Sequence, residues 1–256
     1  MANDSLIQDS VTFVFRRCCM PENSSRCLLW MDGSRSPYLN MAVDELLLEH
    51  APESGGVVLR FYEWNIPSAS FGYSQPIGAV TRKGLTLVRR PTGGGVVYHD
   101  CDLTYTLVIP AGHPICELDR MESYKAVHEP IMRAIMCLGK GAHLAPDLGE
   151  KHDRATLQCF VSPSPNDVIA SDGIKLAGAA QRRTRKGILH QGSVSLNASD
   201  SGRGPIVDAI RRAFAGELGF IYEPFPVPDF LLKDAEQLAR RKYATDAWNV
   251  EKVAPC

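Results

Sequence analysis

The chain has 256 residues, 45% of them hydrophobic and 22% charged, with 28 Lys plus Arg against 29 Asp plus Glu and a formal net charge of −1. This is the composition of a globular protein long enough to bury a full core, and the near balance of charge removes the electrostatic footprint of a dedicated nucleic-acid binder. No apolar run approaches the roughly 18–20 residues of a membrane span.

The N-terminus argues against export, because its first residues are acidic rather than basic and the apolar run Val11 to Phe15 is shorter than a secretory core. Arg16, Arg17 and Arg26 hint at an organellar leader, but Asp4, Asp9 and Glu22 spoil the acid-poor signature. Eight cysteines (Cys18, Cys19, Cys27, Cys101, Cys116, Cys137, Cys159 and Cys256) are scattered with no C-x-x-C spacing. They read as reduced thiols of a cytoplasmic protein rather than a disulfide frame. Seven histidines show no H-E-x-x-H or paired His/Cys spacing, so no metal site is expected.

Residues 1–25 are mostly polar and are expected to be flexible, with a single folded domain over 26–256. Cys27 to Met31 reads as a short buried strand ended by Asp32-Gly33. Ser36 is then placed as an N-cap with Pro37 at the first helical position, and Leu39, Ala42, Val43, Leu46 and Leu47 carry a helix to about His50. Strands are predicted at Val57 to Tyr62, Ala69 to Gly72, Leu85 to Arg90, Val96 to Tyr98 and Leu103 to Ile109. Leu118 to Leu138 has helical periodicity with Pro130 in its midst, predicting one long helix or two short ones. Strands return at Thr156 to Phe160, Asp167 to Ala170, Lys175 to Ala180 and Ile188 to Leu196, followed by amphipathic helices over Pro205 to Phe220 and Phe230 to Tyr243. Runs of strands joined by short turns and then helices point to an α+β fold.

Two segments carry chemistry. In Arg89-Arg-Pro-Thr-Gly-Gly-Gly-Val-Val-Tyr-His-Asp100, three glycines between strands let backbone pass close to a ligand and present N–H groups to it. On glycine alone a flexible hairpin fits equally, and the segment is neither a P-loop nor a dinucleotide fingerprint. In Asp172-Gly-Ile-Lys175-Leu-Ala-Gly178-Ala-Ala-Gln181-Arg-Arg183, a lysine enters a strand whose small residues leave room for a ligand. An edge-strand lysine beside close packing fits the same pattern. Downstream, Ile188-Leu-His190-Gln-Gly192-Ser193 places polar groups on a neighbouring strand.

Together these segments resemble the catalytic domain of the biotin/lipoate protein ligase and octanoyltransferase family. Residues 89–100 match its R-R-x-[ST]-G-G-G-x-x-[YF]-H-D motif, and Lys175 to Gln181 match K-x-x-G-x-A-Q. Met41-Ala-x-Asp44-Glu45, Leu59-Arg-Phe-Tyr62 with Trp64, Phe71-Gly-Tyr-x-Gln75, and Tyr243 to Trp248-Asn249 look like further landmarks in family order. The resemblance covers about residues 26–250. It implies a mixed, mainly antiparallel sheet flanked by helices, as in biotin synthetases and class II aminoacyl-tRNA synthetases. The biotin branch is less similar, since its glycine-arginine loop is absent.

The resemblance implies two competing chemistries. In an octanoyltransferase a cysteine takes the acyl group from octanoyl-acyl carrier protein as a thioester and passes it to a lysine of a lipoyl-domain protein, such as the glycine cleavage H protein or a 2-oxoacid dehydrogenase E2, without a cofactor. Cys159 looks like that nucleophile. Lys175 would position the carbonyl and assist proton transfer. Arg90, Thr92, Gly93, Gly94, Gly95, Tyr98, His99, Gly178, Ala180 and His190 are the implied substrate-binding residues, with Gly93 to Gly95 lining the acyl channel. His99 and His190 are second-rank catalytic candidates, equally explained as sheet residues satisfying backbone. Cys101, Cys116 and Cys137 keep a core reading. Arg89, Arg90, Arg182 and Arg183 fit contacts to an acidic carrier or a phosphate, against solvated surface arginine as the commoner reading. A ligase would instead use ATP and Mg²⁺ to form an adenylate, and Asn166-Asp167-Val168 resembles a ligase element in which Asp167 holds the metal. A non-catalytic relative that binds lipoyl domains or acyl groups is the third reading.

Overall fold

A computed structural model describes residues 24–100, 102–147, 163–195 and 202–254. β1 (Ser25–Arg35) is followed by α1 (Pro37–Glu49), which starts where the sequence places it: Ser36 Oγ accepts from the Leu39 amide, and Pro37 fills the first turn. Then come β2 (Val57–Trp64), β3 (Ser68–Phe71), β4 (Thr86–Arg89), β5 (Val97–Tyr98) and β6 (Asp102–Pro110). The predicted Leu118 to Leu138 helix forms as one long helix and does not break at Pro130. A single turn, α2 (Pro114–Glu117), precedes α3 (Arg120–Cys137), because Asp119 and Glu122 close a reciprocal capping box that starts a new helix. α3 runs through Pro130, which is buried.

β7 (His143–Leu144), β8 (Val168–Ile169), β9 (Lys175–Thr184) and β10 (Gly187–Ser195) follow. The strand predicted at Thr156 to Phe160 lies outside the described residues. α4 (Gly204–Leu218) stops short of the predicted end: Gly219 adopts φ 67°, a left-handed cap, and Phe220 opens β11 (Phe220–Pro224). α5 (Asp229–Leu238) passes into a wide turn over Ala239–Tyr243 before α6 (Asp246–Asn249).

An eight-stranded sheet runs in the order β11-β1-β2-β6-β10-β9-β8-β7. β1 is parallel to both β11 and β2, and every other pairing is antiparallel, so the sheet is mixed and mainly antiparallel as expected. A second, three-stranded sheet in the order β4-β3-β5 sits beside it. Alternation along the strands feeds two cores. Val57, Leu59, Phe61, Leu103, Tyr105 and Leu107 face α3 and α4, whereas Leu28, Trp30, Val58, Val108 and Leu189 face α1 and α5. Burial on both faces explains why these strands read as continuous apolar runs. No helix among the described residues is long and apolar enough to cross a membrane.

Candidate active site

The α1 face of the large sheet is interrupted by polar rows. Register places Tyr62 opposite Thr104, Thr104 opposite Ser193, and Ser193 opposite Gly178; the next row is Arg60, Thr106, Gln191 and Ala180. Gly178 and Ala180 are too small to fill the space above the strand. The result is a cavity that both polar rows help to line. Met41, Trp64, Val97, Ala179 and Ala180 give it apolar walls, while Lys175, Arg90, His99 and Ser70 supply polar groups.

Lys175 is buried, and its Nζ lies 2.7 Å from Asp167 Oδ2. Its side chain occupies the space that a Cβ on Gly178 would take: such a carbon would stand 2.2 Å from Lys175 Cε. The glycine of this motif therefore makes room for the lysine of the same motif. Asp167 is fixed in turn by the Ser164 amide at 2.6 Å, and Asn166 before it takes a left-handed φ of 66°, its side chain donating to the Met121 carbonyl.

The triglycine loop is clamped by Arg90. Its Nη2 donates to the carbonyls of Gly93 at 2.9 Å and Gly95 at 2.7 Å, and its Nη1 donates to Ser70 Oγ at 2.9 Å. Gly94 has φ 84°. The loop crosses Gly72 so closely that a Cβ there would lie 2.0 Å from the Gly94 carbonyl oxygen. Both facts require glycine. Thr92 donates to Gln191 Oε1 at 2.7 Å, fixing a cavity-lining amide whose Nε2 donates to Asp44.

His99 stacks on Trp64, with ring centroids 3.7 Å apart and an angle of 15°. Its Nδ1 is 3.0 Å from Asp102 Oδ2 and its Nε2 is 2.7 Å from Ser70 Oγ. Burial alone would raise the Asp102 carboxyl, but His99 beside it and the hydroxyls of Ser193 and Thr104 hold it below the usual carboxylate range. A second buried network stands behind the cavity, where Arg60 pairs with Asp32 and Asp44, and Asp44 also accepts from Tyr62 and Thr106.

Of the residues singled out in the sequence, Lys175, Arg90, His99, Gly178 and Ala180 meet around this cavity. Gly93 to Gly95 are held behind Arg90. Tyr98 faces away, its hydroxyl 3.2 Å from Thr81 Oγ1 and its ring under the Arg82 guanidinium, which pairs with Asp100. His190 lies on the opposite face of the sheet, between Gln181 and Tyr105, where burial and then the neighbouring His128 push its pKa well down. Cys159 and Cys101 lie outside the described residues. Cys27 is buried, and burial pushes its thiol up to about 12; Cys116 is half-buried, and Cys137 is exposed rather than core.

The surface reading of the arginine pair is also corrected. Arg89 is fully buried and donates to the carbonyls of Tyr73, Gln75, Trp248 and Asn249, tying α6 to the small sheet. Arg90 is buried in its clamp and Arg182 is half-buried, whereas Arg183 is exposed, as the surface reading has it, and closes the end of α2 through the Cys116 and Leu118 carbonyls. Sequence reasoning missed Ser70, Asp102 and Thr104; Gln191 and Ser193 were noted only as polar groups on the strand beside Lys175, which is where they stand. Their signal was a polar residue at every second position of otherwise apolar strands.

The fold, with the Arg89–Asp100 and Lys175–Gln181 motifs gathered around one cavity, defines a class of acyl-group enzymes that act on lipoyl proteins. The model of the lipoyl protein ligase A/B catalytic domain matches residues 36–214, and the chain belongs to that family. Octanoyltransferase LipM of Lysinibacillus sphaericus is 32% identical over 270 residues, spanning 86% of this chain and 97% of that protein. Two solved structures share the fold. Lipoate-protein ligase A bound with ATP superposes with a TM-score of 0.71 at 20% identity, over 88% of this chain and 98% of that one. A bi-partite lipoate protein ligase studied with its E2 lipoyl domain, from Thermoplasma acidophilum, gives 0.69 at 20% identity, over 91% and 98%.

Proposed function

We propose that this protein is an octanoyltransferase of protein lipoylation, taking octanoate from acyl carrier protein and passing it to the lysine of a lipoyl domain. The carrying observation is the cavity, whose apolar walls suit an eight-carbon chain and whose Lys175 stands ready to donate to its carbonyl. In this reading the Cys159 thiolate attacks the octanoyl thioester, the carrier's thiol leaves, and the new thioester is of the same bond type, so the exchange costs little. The lipoyl-domain lysine then attacks the thioester, forming the amide and releasing the Cys159 thiol. A cytoplasmic setting, expected from the reduced thiols, goes with this reading.

The ligase reading rests on Asn166-Asp167-Val168, and the donor set around the cavity fits a metal poorly. Asp167 is committed to Lys175 and the Ser164 amide, Asp102 to His99, Thr104 and Ser193, and Asp44 to Arg60, Tyr62, Thr106 and Gln191. Among the described residues no three His, Cys, Asp or Glu side chains group as metal ligands.

The test is intact mass after incubation with octanoyl carrier protein and, separately, with octanoate plus Mg-ATP. The expected result is an octanoyl adduct on Cys159 from the carrier alone, absent in Cys159→Ala. ATP-dependent octanoyl-AMP without that adduct would establish the ligase, and acyl binding without turnover in either mixture would establish a binding relative.

A further inference from the structure

One polar row of the cavity floor crosses four adjacent strands, with Gly178 on β9, Ser193 on β10, Thr104 on β6 and Tyr62 on β2. Side-chain size climbs along it, from none at Gly178 through a serine and a threonine to a phenol. Lys175 marks its open end, since its Nζ lies 2.4 Å from where a Cβ on Gly178 would stand. Within the acyl-transfer reading above, on which this rests, we infer that Tyr62, with Met41 above it, is the stop that sets the length of acyl chain the cavity accepts.

Tyr62 rises from the sheet to α1, where its hydroxyl donates to Asp44 Oδ2 at 3.0 Å. Its neighbours along the same face of β2 flank the ring: the Arg60 guanidinium lies 4.0 Å from its centroid, and the Trp64 ring 6.0 Å. Met41 stands one turn before Asp44 on α1, and its Sδ lies 3.5 Å from Gln191 Nε2. Both Tyr62 and Met41 are buried and line the cavity, closing the space between sheet and helix. A ring tied at its tip and flanked on both sides has no rotamer that swings it clear of a longer chain.

The spacing suits eight carbons. Adjacent strands lie about 4.8 Å apart, so β9 to β6 is about 10 Å, and Tyr62 stands on the next strand over. An extended octanoyl group, with C–C bonds of about 1.5 Å, runs about 9 Å from carbonyl carbon to methyl. With its carbonyl beside Lys175, the chain passes over Ser193 and ends above Thr104, against the Tyr62 ring. Ten or twelve carbons would reach about 2.5–5 Å further, into that ring. The hydroxyls of Ser193 and Thr104 both donate to Asp102, so the floor requires no polar atom from the chain.

The experiment reads a ratio. Thioester formation on the enzyme is followed by intact mass in single turnovers with carrier protein bearing six, eight, ten or twelve carbons. Wild-type enzyme should prefer octanoyl over dodecanoyl by at least about 10-fold, and Tyr62→Ala should cut that preference by about 10-fold or more. Tyr62→Phe, which keeps the ring and drops only the bond to Asp44, should keep the wild-type profile. Each protein is compared with itself, so a misfolded fraction lowers all four rates alike and leaves the ratio. Met41→Ala, which opens the same end from the helix side, should shift the profile in the same direction. A wild-type profile flat from eight to twelve carbons, or one unchanged in both alanine variants, would overturn the inference. Failure of wild-type enzyme to take any acyl group from the carrier would instead remove the acyl-transfer reading. Calorimetric titration with free octanoate and dodecanoate, which needs no transfer, then reads the stop: dodecanoate binding as tightly as octanoate to wild type would refute it.

Discussion

Replacing Gly178 with Ala probes how the cavity holds its lysine. The new Cβ would stand 2.2 Å from Lys175 Cε, 2.4 Å from its Nζ and 2.9 Å from Asp167 Oδ1. The backbone at Gly178 is ordinary strand, so the effect is steric. The lysine end is flexible and yields first, but every escape leaves Asp167, 2% exposed, without its cation. Breaking a buried pair costs about 3–5 kcal/mol, whereas Ala for Gly in a strand returns about 0.5–1 kcal/mol. The net loss is about 2–4 kcal/mol, or roughly 4–16 °C in Tm for a domain of this size. Urea unfolding of Gly178→Ala with an unchanged midpoint and full acyl transfer would refute this account. Combining Lys175→Met with Asp167→Leu removes both charges without stranding either, and is expected to restore most of the stability and none of the activity.

Arg89→Lys should cost about 3 kcal/mol or more in urea unfolding, since one ammonium cannot reach the five carbonyls, of Gly72, Tyr73, Gln75, Trp248 and Asn249, that the guanidinium fork bridges. Gly72→Ala meets the backbone of the triglycine loop and should destabilise by about 2–3 kcal/mol, whereas Gly93→Ala, with open space around it, should stay within about 0.5 kcal/mol. Stability should also fall on acidification from pH 7.5 to 5.5. Burial holds His128 and His190 below their unfolded value near 6.5, so below that pH the unfolded chain binds more protons, and each ring removes up to about 1.4 kcal/mol per pH unit. A urea midpoint flat across this window would contradict the neutral buried assignment.

What was legible in the sequence is what is local. Ser36-Pro37 names the start of α1 because a cap and a fixed φ act within four residues. The Gly178 motif likewise advertised space beside a strand, and space is what it supplies. The partners of that space were not legible. Lys175 meets Asp167 through the β8–β9 turn, and the sequence offered Asp167 only as a metal ligand of a competing chemistry. His99 fitted a residue satisfying backbone, because Ser70 reaches it from a neighbouring strand of the small sheet and Asp102 only after a turn. Phe220 continued the helical period of α4 and was assigned to it; Gly219, which ends that helix, was the overlooked signal. Phe230 to Tyr243 read as one helix, but Lys242 and Tyr243 leave the helical course where both bond Glu45 of α1.

The charged groups around the cavity are not explained by stability. Arg60 with Asp32 and Asp44, and Lys175 with Asp167, are buried, and such pairs can be replaced by apolar side chains at little cost or even with a gain of about 1–4 kcal/mol. They sit along one sheet face, in and behind the polar rows that floor the cavity, while the opposite face of the same strands is packed with Leu59, Phe61, Leu107 and Ile131. A chain selected only to fold would have no reason to treat its two faces so differently. What the pairs do provide is rigidity. Each ion is held by two or more partners, so the dipoles that meet a substrate carbonyl or an incoming amine are oriented before either arrives, and reaction in the water-poor cavity then requires little reorganisation.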